Sequence, residues 1–421
     1  MPVRRRCLAL AAALAVSAIP FGRTQAADQP VIVIGSILPL TGASAQTGAG
    51  LRAAQQLAAD LVNGHVSYPL PMVGKNGLPH LHARIKLVFA DSQGKPDQAR
   101  AAAEQLITQE HAVALIGCYI SSTTATASQV AERYGIPFLN PDSSAPGLTA
   151  RGLKWFFRST PSDATFAENF YQFFADLKRT KKVDVKKVAI LGEDGLFGTG
   201  ASDAEEDIGK HRGYDIVTRI AYPATTTEVN AEVQKVKSAA PDVIMMASYL
   251  PDALLYMRGF KDQNVQPKAI MAQDAGFIDP GFIKAEGADA EGIFTREVFS
   301  LAIKHRNQAV PLIDQLFRQR FGDKSLDGNT ARDFMGVLVL ADAIDRAGST
   351  KPDAIRTALA ATNIPGNLTL MPWKSIKFDA QGQNEGGAGI IEQIQGGKYE
   401  TVWPFDIATK ASIWPMPAWK R

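Results

Sequence analysis

Short apolar runs rich in Val and Ile alternate with amphipathic stretches over most of the chain. Apolar runs of about four to eight residues are typical of strands buried on both faces, and helical stretches between them indicate parallel pairing. The predicted strands are Val31–Leu38, 85–90, 112–117, 136–139, 188–191, 215–221, 243–247 and 269–272, and the C-terminal region predicts antiparallel strands at 377–379, 389–395 and 399–404. The predicted helices are 48–62, 96–110, 122–134, 164–177, 199–212, 227–239 and 251–263. Because the alternation restarts after Arg158, the sequence predicts an α/β fold with two doubly wound parallel sheets.

The stretch 114–149 places polar side chains where two successive strands end. The first apolar run ends at Gly117, and a hydroxyl cluster beginning at Ser121 follows at the start of a predicted helix. The second run opens onto Asp142 and Ser144. Carboxyl ends of parallel strands share one edge of a sheet, and a helix N-terminus favours negative charge. The stretch therefore predicts a site for a small anion such as a carboxylate.

Helix capping is the alternative interpretation of these hydroxyls, since Ser is a good N-cap. Capping accounts for one hydroxyl but does not require a second set after the next strand, so we favour ligand binding for Ser121 and Ser144. In the second half of the chain, Asp274 and Tyr249 each follow a predicted strand. Asp274 could cap the next helix or pair with a ligand ammonium group, and the sequence leaves both possibilities open. Tyr249 could reach the same cleft through its hydroxyl.

Motifs of common catalytic and cofactor sites are absent from the sequence. It contains no G-x-S-x-G, no H-E-x-x-H and no G-x-x-x-x-G-K-[ST] loop. Residues 48–53 match G-x-G-x-x-A, but they lie outside the first turn after their strand, and His80 and His82 have no evident third metal ligand. We therefore expect no catalytic residue, no cofactor and no metal. The alternative class is an exported hydrolase, which would need a base beside a nucleophile.

The N-terminus predicts export. Three consecutive arginines from Arg4 precede an apolar run at 7–19, and a small-residue cleavage site ends at Ala26. We expect residues 1–26 to be a signal peptide and the mature protein to be periplasmic.

Charge and cysteine content narrow the possible partners. The whole chain has 45 basic and 42 acidic residues, and four of the basic residues but no acidic one lie in the predicted signal. The near-neutral balance of the mature chain argues against nucleic-acid binding. Only Cys118 would remain after cleavage, so no internal disulfide is expected. We expect a monomer.

In their order along the chain, several motifs resemble those of the periplasmic leucine/isoleucine/valine-binding proteins, which have the type I periplasmic binding fold. The most specific are Ser-Ser-Thr-Thr at 121–124 and Pro-x-x-x-Ala-Pro-x-Leu-Thr at 141–149. The other matching pieces are 35–42, 46–48, Asp91, Pro96, 116–120, Arg158, 193–198, 249–252, Asp274 and 290–292. The likeness covers nearly the whole mature chain.

This resemblance implies two doubly wound lobes joined by a three-strand hinge, with crossovers near Arg158, Arg296 and Trp373. Lobe 1 would comprise 27–160 and 297–372, and lobe 2 would comprise 161–296 and 373–421. It further implies the substrate-binding component of an ABC importer, which binds a branched-chain or other apolar amino acid by closure and docks on a membrane permease. The alternatives are the same fold binding an amide, a urea or an aromatic carboxylate, or acting as a ligand sensor.

The resemblance also assigns roles to individual residues. Ser121 and Ser144 would bind the ligand carboxylate, and the backbone carbonyl of Asp142 and the side chain of Asp274 would bind its amino group. Tyr249 would close over the head of the ligand.

Four further positions differ from the family pattern and would shape the side-chain pocket. Phe197 stands where the family often has tyrosine, and Thr47 stands where it tends to have an aromatic ring. Tyr119 replaces an aliphatic residue, and Ile120 occupies a position that forms a disulfide in some members. The segment 329–333 would also line the pocket.

Overall fold

The structure, a computed structural model, describes residues 29–322 and 324–419. The predicted signal peptide lies outside the described residues, so cleavage near Ala26 stays a prediction. Two large sheets, each covered by helices on both faces, form the two lobes. Within the described ranges, no helix is both long and apolar enough to cross a membrane.

The strands and helices confirm the predicted α/β class. The strands are β1 Val31–Leu38, β2 Arg84–Asp91, β3 Ala114–Gly117, β4 Phe138–Asn140, β5 Phe156–Arg158, β6 Lys187–Glu193, β7 Asp215–Tyr222, β8 Val243–Ala247, β9 Ala269–Ala272, β10 Phe294–Glu297, β11 Asn363–Pro365, β12 Ser375–Lys377, β13 Ile390–Gln395 and β14 Lys398–Trp403. The helices are α1 Ala45–Asn63, α2 Pro96–Thr108, α3 Ser121–Tyr134, α4 Asp163–Lys181, α5 Leu196–His211, α6 Asn230–Ala239, α7 Leu250–Asp262, α8 Pro280–Glu286, α9 Ala309–Phe321, α10 Gly328–Ala347 and α11 Pro352–Ala360. Short 3₁₀ turns connect several of these elements.

The first sheet has the order β2-β1-β3-β4-β5 and is parallel throughout. The second sheet has the order β14-β13-β10-β9-β8-β6-β7. Its strands from β10 to β7 are parallel, while β13 and β14 are added as an antiparallel pair at one end. We call the unit around the first sheet the first lobe and the unit around the second sheet the second lobe.

The strands are buried on both faces, as the continuous apolar runs predict. In the first lobe, Ile34 and Ile116 pack against helices including α10 on one face, while Leu115 and Phe138 pack against α2 and α3 on the other. The second lobe repeats this arrangement with two cores of its own. The burial of apolar side chains in these cores is the main stabilising contribution to each lobe.

Three helices between β10 and β13 had no counterpart among the predicted elements. One of them, α10, is buried along almost its whole length in the first lobe. A helix that is buried on nearly every side lacks the separate apolar and polar faces that identify a surface helix. The helix α10 nevertheless begins with a clear signal, since Asp327 and Thr330 form a reciprocal capping box.

The chain passes between the two sheets three times: after β5, after β10, and between β12 and β13. At the first passage, the Arg158 backbone pairs with the segment around Gln383. Trp373 and Phe378 pack within the core of the first lobe. This packing favours a third crossover later in the chain than the predicted position near Trp373.

Candidate functional site

One face of the cleft between the lobes comes from the segments after β3 and β4. These strands are parallel neighbours, so the residues that follow them meet at one edge of the first sheet. Ser121 begins α3, and Ser144 follows β4; both side chains are buried. The N-cap of α3 is Ile120, and no side chain caps this helix. Capping therefore does not account for the hydroxyl of Ser121.

Hydrogen bonds to the backbone brace these two segments against each other. The Ser143 hydroxyl lies 2.6 Å from Thr124 Oγ1 and 3.0 Å from each of the carbonyl oxygens of Cys118 and Tyr119. The Asn140 side-chain amide donates to the carbonyl oxygen of Cys118 at 3.0 Å. These buried bonds fix the positions of Ser121 and Ser144 relative to each other.

The opposite face comes from strand ends and a helix start in the second lobe. Tyr249 follows β8 as the N-cap residue of α7, Asp274 follows β9, and Phe197 lies in the first turn of α5. The Tyr249 ring centroid lies 5.4 Å from that of Phe197 and 6.0 Å from that of Tyr119 across the cleft. Burial raises the pKa values of both tyrosines well above normal, so their phenols stay neutral.

The two faces enclose a cavity of about 20 Å³. The residues lining it are Tyr119, Ser121, Asp142, Ser143, Ser144, Phe197, Tyr249, Asp274, Ala275 and Arg332. Seven of the nine predicted site residues are in this set. The volume holds about one water molecule, so an organic ligand requires side-chain movement or separation of the lobes.

Thr47 and Ile120, the other two predicted site residues, lie outside the cavity lining. Thr47 Oγ1 donates to Asp279 Oδ2 at 2.7 Å, and Gln46 Nε2 donates to Asp279 Oδ1 at 3.1 Å. These bonds connect the first turn of α1 in the first lobe with the N-cap of α8 in the second. Ile120 instead packs in a small apolar cluster that includes Leu38. The side chains of Thr47 and Ile120 are therefore engaged elsewhere and do not line the cavity.

A buried arginine at the end of β10 organises the second face. Arg296 Nη1 donates to Asp274 Oδ2 at 2.5 Å, and Arg296 Nη2 donates to Asp163 Oδ1 at 3.3 Å and to Ser144 Oγ at 3.2 Å. Its Nε donates to Gln273 Oε1 at 3.2 Å. Arg296 therefore connects an acid of the second lobe to a hydroxyl of the first.

A second buried arginine, Arg332 in α10, lies between the two acids that face the cavity. Its Nε is 2.9 Å from Asp142 Oδ1, and its Nη1 donates to Asp274 Oδ2 at 3.1 Å. Its Nη2 donates to Asn329 Oδ1 one turn earlier in α10. Burial alone would lower the pKa of Arg332, but the carboxylates, led by Asp142 and Asp274, outweigh it and raise the pKa above its ordinary value. Arg332 is therefore a fixed positive charge in the site.

Two of the acids have raised pKa values. Burial, and next the neighbouring Asp333 carboxylate, raise the pKa of Asp142 well above its usual range. Burial also raises the pKa of Asp163 to about 6, against the opposing effect of Arg296. Both carboxylate oxygens of Asp274 have partners. Its Oδ1 accepts from the Ala275 backbone N–H at 2.5 Å, and its Oδ2 accepts from both Arg296 and Arg332. Asp274 thus caps the short turn that follows it and also forms ion pairs.

The lining combines neutral hydroxyls, three aromatic rings and a matched set of charges. Such a set can hold a small, largely apolar molecule with a polar head. No histidine, cysteine or lysine lines the cavity. Within the part of the chain that the structure describes, no cluster of three or more His, Cys, Asp or Glu side chains is arranged to hold a metal ion.

Two lobes of parallel sheet with polar groups meeting between them define a periplasmic binding protein. Residues 31–398 match the family model described as periplasmic binding protein, and the chain belongs to that family. A Leu/Ile/Val-binding protein homolog of Brucella suis biovar 1 (strain 1330) is 27% identical over 404 residues, which cover 93% of this chain and 96% of that protein.

Solved structures show the same fold. The branched-chain amino acid transporter substrate-binding protein of Streptococcus pneumoniae, in complex with isoleucine, superposes with a TM-score of 0.73 at 21% identity, covering 92% of this chain and 100% of that one. An ABC transporter solute-binding protein of R. palustris, in complex with benzoate, superposes with a TM-score of 0.73 at 18% identity, covering 93% and 98%. The fold therefore accommodates ligands with and without an amino group.

Sequence reasoning did not predict the two arginines as site residues. Arg296 entered only as a crossover position, and Arg332 only as part of the segment 329–333. The signal for Arg332 was available, since an arginine in a helix that is buried on nearly every side needs a buried acidic partner. Its partners, Asp142 and Asp274, lie far away in sequence, so the pattern alone did not identify them.

Proposed function

We propose that the protein is the periplasmic substrate-binding component of an ABC importer and that it captures a small apolar carboxylate between its lobes. The observation that carries this proposal is the convergence of seven predicted residues from both lobes around one small cavity. Family membership supports the transport role.

The ligand carboxylate would be held by the hydroxyls of Ser121 and Ser144, next to the N-terminus of α3. Hydrogen bonds to a charged group contribute about 1.5–3 kcal/mol each, and the helix N-terminus adds a favourable field. The apolar body would contact the rings of Tyr119, Phe197 and Tyr249.

Closure of the two lobes would couple binding to recognition by the permease. Contacts that exist only when the lobes meet include the Thr47–Asp279 hydrogen bond and the Ser144–Arg296 hydrogen bond. A ligand favours the closed form only as far as it binds that form more tightly. The closed form would then dock on the membrane permease, as the family resemblance implies.

The test is calorimetric titration of the exported, purified protein with apolar amino acids, aromatic carboxylates, amides and urea. We expect saturable binding of a carboxylate ligand without turnover, with product analysis after incubation as the check. Turnover would indicate an enzyme, and binding of urea or amides alone would refute the carboxylate assignment. Deletion of the gene should abolish uptake of the radiolabelled ligand; unchanged uptake would favour a sensor.

A further inference from the structure

The geometry points to Arg332 as the residue that decides ligand class: we infer that this chain selects organic monocarboxylates without an α-amino group, aromatic acids above all. The inference rests on the proposed function and deepens it, because it concerns the same cavity. The sequence resemblance implies an apolar amino acid first and an aromatic carboxylate only as an alternative, and this inference reverses that order.

The first step of the argument is the occupancy of Asp274. A carboxylate offers roughly four acceptor positions. Asp274 already uses three of them, for the Ala275 N–H, for Arg296 Nη1 and for Arg332 Nη1. A ligand ammonium group that paired with Asp274 would be the third cation on one carboxylate.

The second step is the position of Arg332 itself. The resemblance assigns the backbone carbonyl of Asp142 and the side chain of Asp274 to the ligand amino group. The Arg332 guanidinium lies between the side chains of these two residues, 2.9 Å from Asp142 Oδ1 and 3.1 Å from Asp274 Oδ2. A guanidinium cannot give up its proton, so Arg332 places a permanent charge of the same sign beside the acids that would receive the ammonium. An α-amino acid would have to displace this group or accept its repulsion.

The third step is that Arg332 is held firmly. It lies in the second turn of α10, whose start is fixed by the capping box of Asp327 and Thr330. Its third contact, with Asn329, comes from the same helix. The side chain is 2% exposed, so its removal from the cleft would break three buried contacts at once. A ligand that leaves Arg332 in place meets no such cost.

The remaining lining explains why an aromatic acid fits. Tyr119, Phe197 and Tyr249 form a continuous set of rings with centroids 5.4 and 6.0 Å apart. Aromatic groups at this spacing favour stacked or edge-to-face contact with another flat ring. The Ser121 hydroxyl remains available for the carboxylate, and the Ser144 hydroxyl, which accepts from Arg296 Nη2, would turn its proton to the ligand.

The test uses matched ligand pairs that differ only in the amino group: 4-methylpentanoate against leucine, and 3-phenylpropanoate against phenylalanine, with benzoate as a fifth probe. We expect the member without the amino group to bind at least tenfold more tightly in each pair, by calorimetry on the exported protein. Tighter binding of the amino acids would overturn this inference and leave the importer proposal standing. Binding of none of the five carboxylates would overturn both.

A variant then tests the residue. We expect Arg332→Met, which keeps an elongated side chain without the charge, to reduce the preference in each ligand pair by at least tenfold. Arg346→Met in the same helix is the matched control, because Arg346 pairs at the surface with Asp342. Arg332→Lys retains the charge and should retain the preference, which keeps the test decisive if the methionine variant folds poorly. An unchanged preference in both Arg332 variants with unchanged stability would refute the role.

Discussion

The two faces of the cleft are built on different physical principles. The first-lobe face presents neutral hydroxyls on a segment braced by local hydrogen bonds, as the contacts of Ser143 with Thr124 and Cys118 show. The second-lobe face consists of charges that depend on one another, with Arg296 bound to both Asp163 and Asp274. A hydroxyl on which no buried group depends can be removed with little effect on its neighbours, whereas removal of one member of a buried ion pair leaves an uncompensated charge. We therefore expect changes on the first face to affect the ligand and changes on the second to affect the fold as well.

The largest expected effect comes from Arg296→Met. It leaves Asp163 and Asp274 without their main cation, and breaking a buried pair in this way costs about 3–5 kcal/mol. Urea denaturation should show this loss in the free energy of unfolding. The matched control is Arg219→Met, which breaks two partly exposed pairs with Asp203 and Glu206 and should cost about 1 kcal/mol or less. If the two variants lost equal free energy of unfolding, the buried ion pairs of Arg296 would stabilise the fold no more than the surface pairs of Arg219.

On the first face, Ser121→Ala should weaken ligand binding without unfolding the protein. Loss of a hydrogen bond to a charged group is worth about 1.5–3 kcal/mol, or about ten- to a hundredfold in affinity. The free energy of unfolding should change by no more than about 0.5–1 kcal/mol. The adjacent Ser122→Ala is the control, since Ser122 does not line the cavity. A stability loss in Ser121→Ala as large as that of Arg296→Met would remove the distinction between the two faces.

The second face also predicts a pH dependence, through Glu205. This carboxyl is fully buried behind Gln273, whose Nε2 donates to Glu205 Oε1 at 2.8 Å. Burial raises its pKa to about 8. Between the ordinary value and about 8, the folded protein holds a proton that the unfolded chain has released, so the free energy of unfolding falls as pH rises through this window.

Glu205→Gln should remove this loss of stability at high pH, because glutamine has no proton to release. We expect it to raise the free energy of unfolding at pH 8.5 by an amount on the order of 1 kcal/mol or more and to change it little at pH 5, as measured by urea denaturation. The neighbouring Glu206 is a control whose pKa is shifted in the opposite direction, because hydrogen bonds from Lys210 and then Arg219 lower the pKa of Glu206. Glu206→Gln should therefore lose stability at pH 8.5. A stability of Glu205→Gln that parallels the wild type at both pH values would show that Glu205 is charged in the fold.

The hydroxyl face could be predicted from sequence further than the charged network, because its residues are close together along the chain. Ser121, Asp142 and Ser144 lie within one segment after two adjacent strands, so the strand pattern alone brings them together. The charges of the network come from α4, β10 and the turn after β9 in the second lobe and from α10 in the first, and no local pattern records that Arg332 meets Asp274. The buried helix α10 was also missed because it lacks an amphipathic period. The α/β class and the carboxylate face could thus be predicted from sequence, while the charge network required the tertiary structure.

The smallest expected effect concerns the contact that holds the two faces together. Thr47 Oγ1 donates to Asp279 Oδ2 across the cleft at 2.7 Å, while Thr41 makes a hydrogen bond of the same type to Asp91 within the first lobe. Thr47→Val removes a bond formed only when the lobes meet, worth about 0.5–1.5 kcal/mol, or up to about tenfold in affinity. The loss should appear mainly as faster ligand release, because the closed state is the one that is destabilised. Thr41→Val should leave affinity and release rate unchanged, since its bond is present whether or not the lobes are closed. If the two variants changed the release rate equally, the Thr47–Asp279 bond would have no part in closure, and the other contacts between the lobes, such as Ser144–Arg296 and Arg332–Asp274, would hold the faces together with the ligand.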